Sequence, residues 1–185
     1  MGFFIALRQT ETPPLIRITH VTNNDILRRI RYIFNINDSK MIATFDLADY
    51  AVTREQISDW LKKEEDPAFK ELSDKQLAIF LNGLIVKNRG KKDGPQPEPE
   101  ERINYNIIFR KLKIALDFKD EDILAALDLA EFPISKHELS ALFRRPDHKH
   151  YRECQTQILR NFLKGLQLKY RANAEDNPTD DATEE

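Results

Sequence analysis

Cysteine occurs once in the 185 residues, tryptophan once, methionine twice and glycine five times. The lone Cys154 excludes an internal disulfide and suits a reducing compartment. So few glycines leave no phosphate-cradling loop: there is no P-loop, no dinucleotide-binding glycine run and no G-x-S-x-G elbow. No apolar run approaches the roughly 18 residues that a membrane-spanning helix needs. Gly2-Phe3-Phe4-Ile5-Ala6-Leu7 is too short for a signal-peptide core and has no basic flank, and Ala6 breaks the myristoylation pattern. A dominant charge is missing too, since 29 basic against 31 acidic residues leave a net −2. What is present is 41% hydrophobic residues patterned with a 3.6-residue period, which points to an all-α protein with no membrane partner.

The chain is organised around a pentapeptide that occurs twice. Phe80-Leu81-Asn82-Gly83-Leu84 returns as Phe162-Leu163-Lys164-Gly165-Leu166, an offset of 82 residues. The same shift aligns residues 24–90 with 106–172 without a gap, and roughly a quarter of the pairs are identical. Asn24 meets Asn106, Asp38 meets Asp120, Asp46-Leu47-Ala48 meets Asp128-Leu129-Ala130, and Arg89 meets Arg171. The expected organisation is a disordered leader over 1–22, helical repeats over 23–90 and 106–172, a mostly flexible linker over 91–105, and a disordered acidic tail over 173–185. A start of translation at Val21 is the alternative account of the leader. Charge is uneven across these parts: the first repeat balances at 11 basic against 11 acidic, and the second holds 13 against 9.

Each repeat reads as four helices. Ile26, Ile30, Ile33 and Phe34 stripe the first, and Asp38 is expected to cap a second that buries Met41, Ile42, Phe45 and Leu47. Thr53 to Gln56, Ser73 to Gln76 and Ser135 to Glu138 are capping boxes. The fourth helix is apolar on two sides. Its main stripe is Leu77, Phe80, Leu81 and Leu84, and a flank carries Ile79, Gly83 and Val86, matched by Ile158, Gly165 and Leu168. A mid-helix glycine costs about 1 kcal/mol against alanine, which is offset where two backbones approach closely. The sequence therefore predicts two four-helix repeats related by a pseudo-twofold, meeting through their fourth helices at Gly83 and Gly165.

The repeat, its FLxGL pentapeptides and the run Arg145-Pro146-Asp147-His148-Lys149 leading to Arg152-Glu153-Cys154 resemble the bacterial YehS-like family, whose domain has no assigned function. The resemblance covers about residues 21–172. It implies a tandem all-α bacterial cytoplasmic protein and carries over no catalytic or binding residue.

No constellation amounts to a catalytic signature. The first helices carry matched basic faces, Arg28, Arg29 and Arg31 against Arg110, Lys111 and Lys113, able to meet phosphates at two points. The second and third helices resemble a helix-turn-helix through Val52, Ile57 and Trp60, and through Ile134, Leu139 and Leu142. Ala51 and Pro133, however, replace the usual turn glycine. The outward face in the second copy would hold Lys136, His137, Ser140, Ala141 and Arg144. Asp147, His148, His150 and Cys154 match no zinc spacing, and no metal or other cofactor is expected. Cys154 aligns with Leu72 and reads as core. The composite expectation is a non-catalytic binding protein, an adaptor for an unknown protein partner, with nucleic acid as the alternative partner.

Overall fold

The computed structural model describes residues 20–175, with side chains through Arg171. Among the described residues the structure is helical throughout: α1 (Asn23–Ile33), α2 (Asp38–Asp46), α3 (Arg54–Leu61), α4 (Asp74–Arg89), α5 (Tyr105–Ala115), α6 (Asp120–Leu129), α7 (Lys136–Leu142) and α8 (Thr156–Glu175). None is long and apolar enough to cross a membrane. Capping boxes open α3 at Thr53, α4 at Ser73 and α7 at Ser135. Asn37, not Asp38, caps α2; Asp38 is the first helical residue and pairs instead with Arg31. A further box, Thr22 with Asp25, opens α1.

The corners use a device that composition hides. Among the described residues, all four non-glycine residues of positive φ, Asn35, Asp49, Asp117 and Glu131, stand just past the ends of α1, α2, α5 and α6. They form two repeat-equivalent pairs. At each, the next amide reaches back across the turn: Ile36 to Arg31, Tyr50 to Phe45, Phe118 to Lys113 and Phe132 to Leu127, all at 3.0–3.2 Å. An apolar residue seals each corner, as in a Schellman motif.

The two repeats share one core of residues buried from both halves, including Ile30, Phe45, Phe80, Phe109, Leu127 and Phe162. Their arrangement is reciprocal. α4 packs against α5 of the other repeat, and α8, the equivalent of α4, packs against α1, the equivalent of α5. The fourth helices do lie at the repeat interface, but each meets the other repeat's first helix. The glycines do not meet across the pseudo-twofold. A Cβ on Gly83 would stand 1.8 Å from the carbonyl oxygen of Thr44, and one on Gly165 would stand 1.7 Å from that of Ala126. Both close approaches are therefore internal to a repeat, helix four over helix two. Helix four is thus apolar on two sides as its pattern predicts, but the glycine side faces helix two of its own repeat and not the other repeat. Of the flanking residues, Ile79 is buried, Val86 and Ile158 are half-buried, and Leu168 is exposed.

Several expected boundaries move. Val21 is buried, its N–H donates to the Tyr105 hydroxyl and its carbonyl accepts from it, so residues 20–22 belong to the folded body. The end of the linker is likewise held: Glu101 pairs with Lys75, the Ile103 N–H donates to Asp74, and Asn104 caps α5. The expectations for residues 1–19 and 176–185 lie outside the described residues.

Candidate functional site

Each repeat buries an asparagine at the start of its first helix. Asn24 is 1% exposed; its Nδ2 donates to the Trp60 carbonyl at 2.8 Å and the Lys70 carbonyl at 2.9 Å, and its Oδ1 accepts from the Leu72 N–H at 3.0 Å. Asn106 repeats the pattern on Leu142, Arg152 and Cys154 at 2.9, 2.8 and 2.8 Å. The offset of 82 holds for all four positions. This clip ties the first helix to the end of the third and to the strap entering the fourth. Its role is structural, because every group it engages is main chain. Sequence reasoning paired the two asparagines without seeing their task; an asparagine kept among apolar stripes was the available signal.

The predicted basic faces are largely occupied. Arg28 donates to the Lys62 carbonyl at 2.6 Å and pairs with Asp25 at 2.7 Å. Burial opposes ionisation of Asp25, but hydrogen bonds from Arg28 and Thr22 outweigh it and hold the carboxyl below its usual range. Arg31 pairs with Asp38, Lys113 with Asp120, and Arg110 donates to the Phe143 carbonyl. Lys111 departs furthest from expectation. It is 8% exposed, with Nζ 2.6 Å from Asn82 Oδ1 and 2.9 Å from Glu100 Oε2, because α4 covers the side of α5 that was read as solvated. Its equivalent, Arg29, is half-buried on α1.

The proposed recognition helix α7 is seven residues long, and Ala141, expected on its outward face, is buried. Lys136 there pairs with Glu121 at 2.8 Å, and Arg144 lies 3.3 Å from the His148 ring. His148 and His150 are exposed, with ring centres 5.6 Å apart, whereas Cys154 is buried. Among the described residues no group of three or more His, Cys, Asp or Glu is placed to hold a metal ion. Burial pushes the Cys154 thiol up to about 12, so at neutral pH it is not a thiolate. The native chain is expected to react with Ellman's reagent at pH 8 only as fast as it unfolds, with labelling in urea tracking loss of helicity. Rapid stoichiometric labelling of the folded chain would show an accessible thiol instead.

Large exposed apolar side chains complete the surface, and they too come in repeat-matched sets. Tyr32 and Ile114 are equivalent, as are Leu47 and Leu129; Leu168 matches the half-buried Val86. Leu47 was expected inside α2, but it is the residue after the last helical turn and 39% exposed. Leu129 is 50% exposed.

The family described as a protein of unknown function, DUF1456, matches residues 23–90 and 105–172, one match per repeat. The chain belongs to this family. It is 47% identical over 145 residues to the uncharacterized protein YehS of Escherichia coli (strain K12), across 78% of this chain and 93% of that protein. No solved structure matches it.

Proposed function

We propose that this DUF1456 chain is a non-catalytic, cytoplasmic adaptor that presents two equivalent apolar contact points to a protein partner. The observation that carries this reading is the Asp-Leu-Ala turn, identical in both repeats at Asp46-Leu47-Ala48 and Asp128-Leu129-Ala130. Each turn is locked by the same hydrogen bonds. The Ala48 and Asp49 amides donate to Phe45 and Asp46 at 3.0 and 2.9 Å, and those of Ala130 and Glu131 to Leu127 and Asp128 at 3.1 and 2.9 Å. Each turn therefore holds its leucine in a fixed place at the surface, with 39% of Leu47 and 50% of Leu129 left exposed. Rigid apolar anchors lose little entropy on binding, and two on one body add avidity against a partner with two sites.

A partner cross-linked in the native cell and then reconstituted from purified components should bind the parent chain. It should bind Leu47→Glu or Leu129→Glu alone more weakly, and should not bind the double variant, whose melting temperature stays within a degree or two of the parent. Full binding by a folded double variant would remove this reading.

The alternative, a nucleic-acid binder, rests on the basic faces of α1 and α5. Most of those cations already hold an internal acceptor, so phosphates would have to displace carboxylates. Such binding would weaken steeply with salt and survive the leucine changes.

A further inference from the structure

The two seams between the repeats join equivalent helices but differ in charge. At the α4–α5 seam, Lys111 meets Glu100 at 2.9 Å and Arg89 meets Asp117 at 2.6 Å. At the α1–α8 seam, Arg171 stands in the place of Arg89, and Asn35 in the place of Asp117. Asn35 and Asp117 have the same left-handed backbone, φ 49° and 54°, in the same corner. Only the carboxylate has gone.

Arg171 and Asn35 line one open cleft of about 400 Å³, together with Arg28, Arg31 and Tyr32. The Arg171 guanidinium rests 4.3 Å over the Tyr32 ring, which is 50% exposed and has Ile114 as its counterpart. Arg171 Nε is buried and has no hydrogen-bond partner, an arrangement that leaves a strong donor unanswered. Arg28 and Arg31 already face Asp25 and Asp38, so among the described residues Arg171 is the arginine of the cleft without a carboxylate of its own.

From this we infer that the cleft binds an oxyanion, the phosphate or carboxylate group of a small-molecule ligand, which replaces the carboxylate that Asp117 supplies at the other seam. A guanidinium matches either anion with paired, charge-assisted hydrogen bonds, and here its Nε–H is unanswered. The Tyr32 ring beside it restrains that guanidinium at the edge of the cleft. The site is independent of the leucine turns and of the adaptor reading.

The test follows from the asymmetry. The full chain is titrated with inorganic phosphate, and separately with acetate, at an ionic strength held constant with sodium chloride. NMR follows the arginine Nε–H signals and the Tyr32 ring. The expected result is a saturable shift at Arg171 and Tyr32 with at least one of the two anions; the one that binds more tightly identifies the ligand group. Asn35→Asp restores the internal carboxylate and should weaken binding at least tenfold, and Arg171→Gln should abolish the Tyr32 shift without touching the corner. Conversely, Asp117→Asn should open a second saturable site at Arg89. The inference is overturned if Arg171 shows no saturable shift with either anion, or if Asn35→Asp binds as tightly as the parent. It is equally overturned if binding appears only after removal of residues 176–185, which would make the chain's own carboxylates the occupant.

Discussion

Gly83→Ala is expected to destabilise the chain by about 2–3 kcal/mol, the upper range for overpacking a close contact, against a gain of about 1 kcal/mol from helix propensity alone. The sign follows from distance. The new methyl would stand 1.8 Å from the Thr44 carbonyl oxygen and 3.3 Å from the Thr44 Cγ2. Backbone cannot swing aside as a flexible side chain can, so α4 and α2 must separate by more than an ångström. Gly165→Ala meets the Ala126 main chain in the same way and should cost a similar amount. The two crossings lie in different repeats and share no contact, so urea unfolding of the double variant should give the sum of the singles within about 0.5 kcal/mol. Two stabilising alanines would mean that the helices do not approach as described. A strongly non-additive pair would mean that the crossings are coupled through the interface between the repeats.

That correction shows where the pattern of residues stops being informative. Apolar spacing gives the two faces of α4, but a face does not name its neighbour. The Leu77, Phe80, Leu81 and Leu84 stripe and the glycine flank are equally consistent with either assignment. The duplication and three capping boxes were legible because they are local. The four left-handed corners were not, since Asn, Asp and Glu occupy them and glycine does not. Lys111 misled for a related reason. On a helical wheel it stands about 100° from Arg110 and about 160° from Lys113, on a flank of the apolar stripe, and the reciprocal packing of α4 on α5 takes that flank out of water. The matched basic faces were therefore a true regularity of sequence whose members have different fates. Arg31 and Lys113 both pair with the next helix, whereas Lys111 meets Asn82 of the other repeat, a position that Lys164 occupies in the second copy, and Arg29 stays half-buried. The cleft at Arg171 was illegible for the opposite reason: its meaning lies in a comparison between two places that only the pseudo-twofold relates.

Asn24→Asp should be the more damaging change, and its cost should depend on pH. The parent amide answers two carbonyls with its two N–H donors and one N–H with its oxygen, so each group within reach is matched. Asn24→Ala leaves the Trp60 and Lys70 carbonyls and the Leu72 N–H without their partner. At about 1–3 kcal/mol for a buried unsatisfied group, and with some relief from entering water, a total of about 3–5 kcal/mol is expected. Aspartate keeps the shape and still accepts from Leu72, but it sets a second oxygen against two carbonyls at 2.8–2.9 Å. The folded variant can survive only by holding a proton on that carboxyl, which then satisfies one carbonyl of the two. In the unfolded chain the same carboxyl ionises near its ordinary value of about 3.9. The folded state thus binds more protons than the unfolded state above that pH, and stability relative to the parent must fall as pH rises. Urea unfolding at pH 3.5 and at pH 7, each referred to the parent at the same pH, separates this from general acid effects such as protonation of Asp25. Asn24→Asp should approach Asn24→Ala at pH 3.5 and exceed its cost at pH 7, where it consumes much of the roughly 5–15 kcal/mol by which a domain is stable. Equal costs for Asn24→Asp at the two pH values would show that water reaches the site, and that the clip is not the dry, fully matched junction that holds each repeat together.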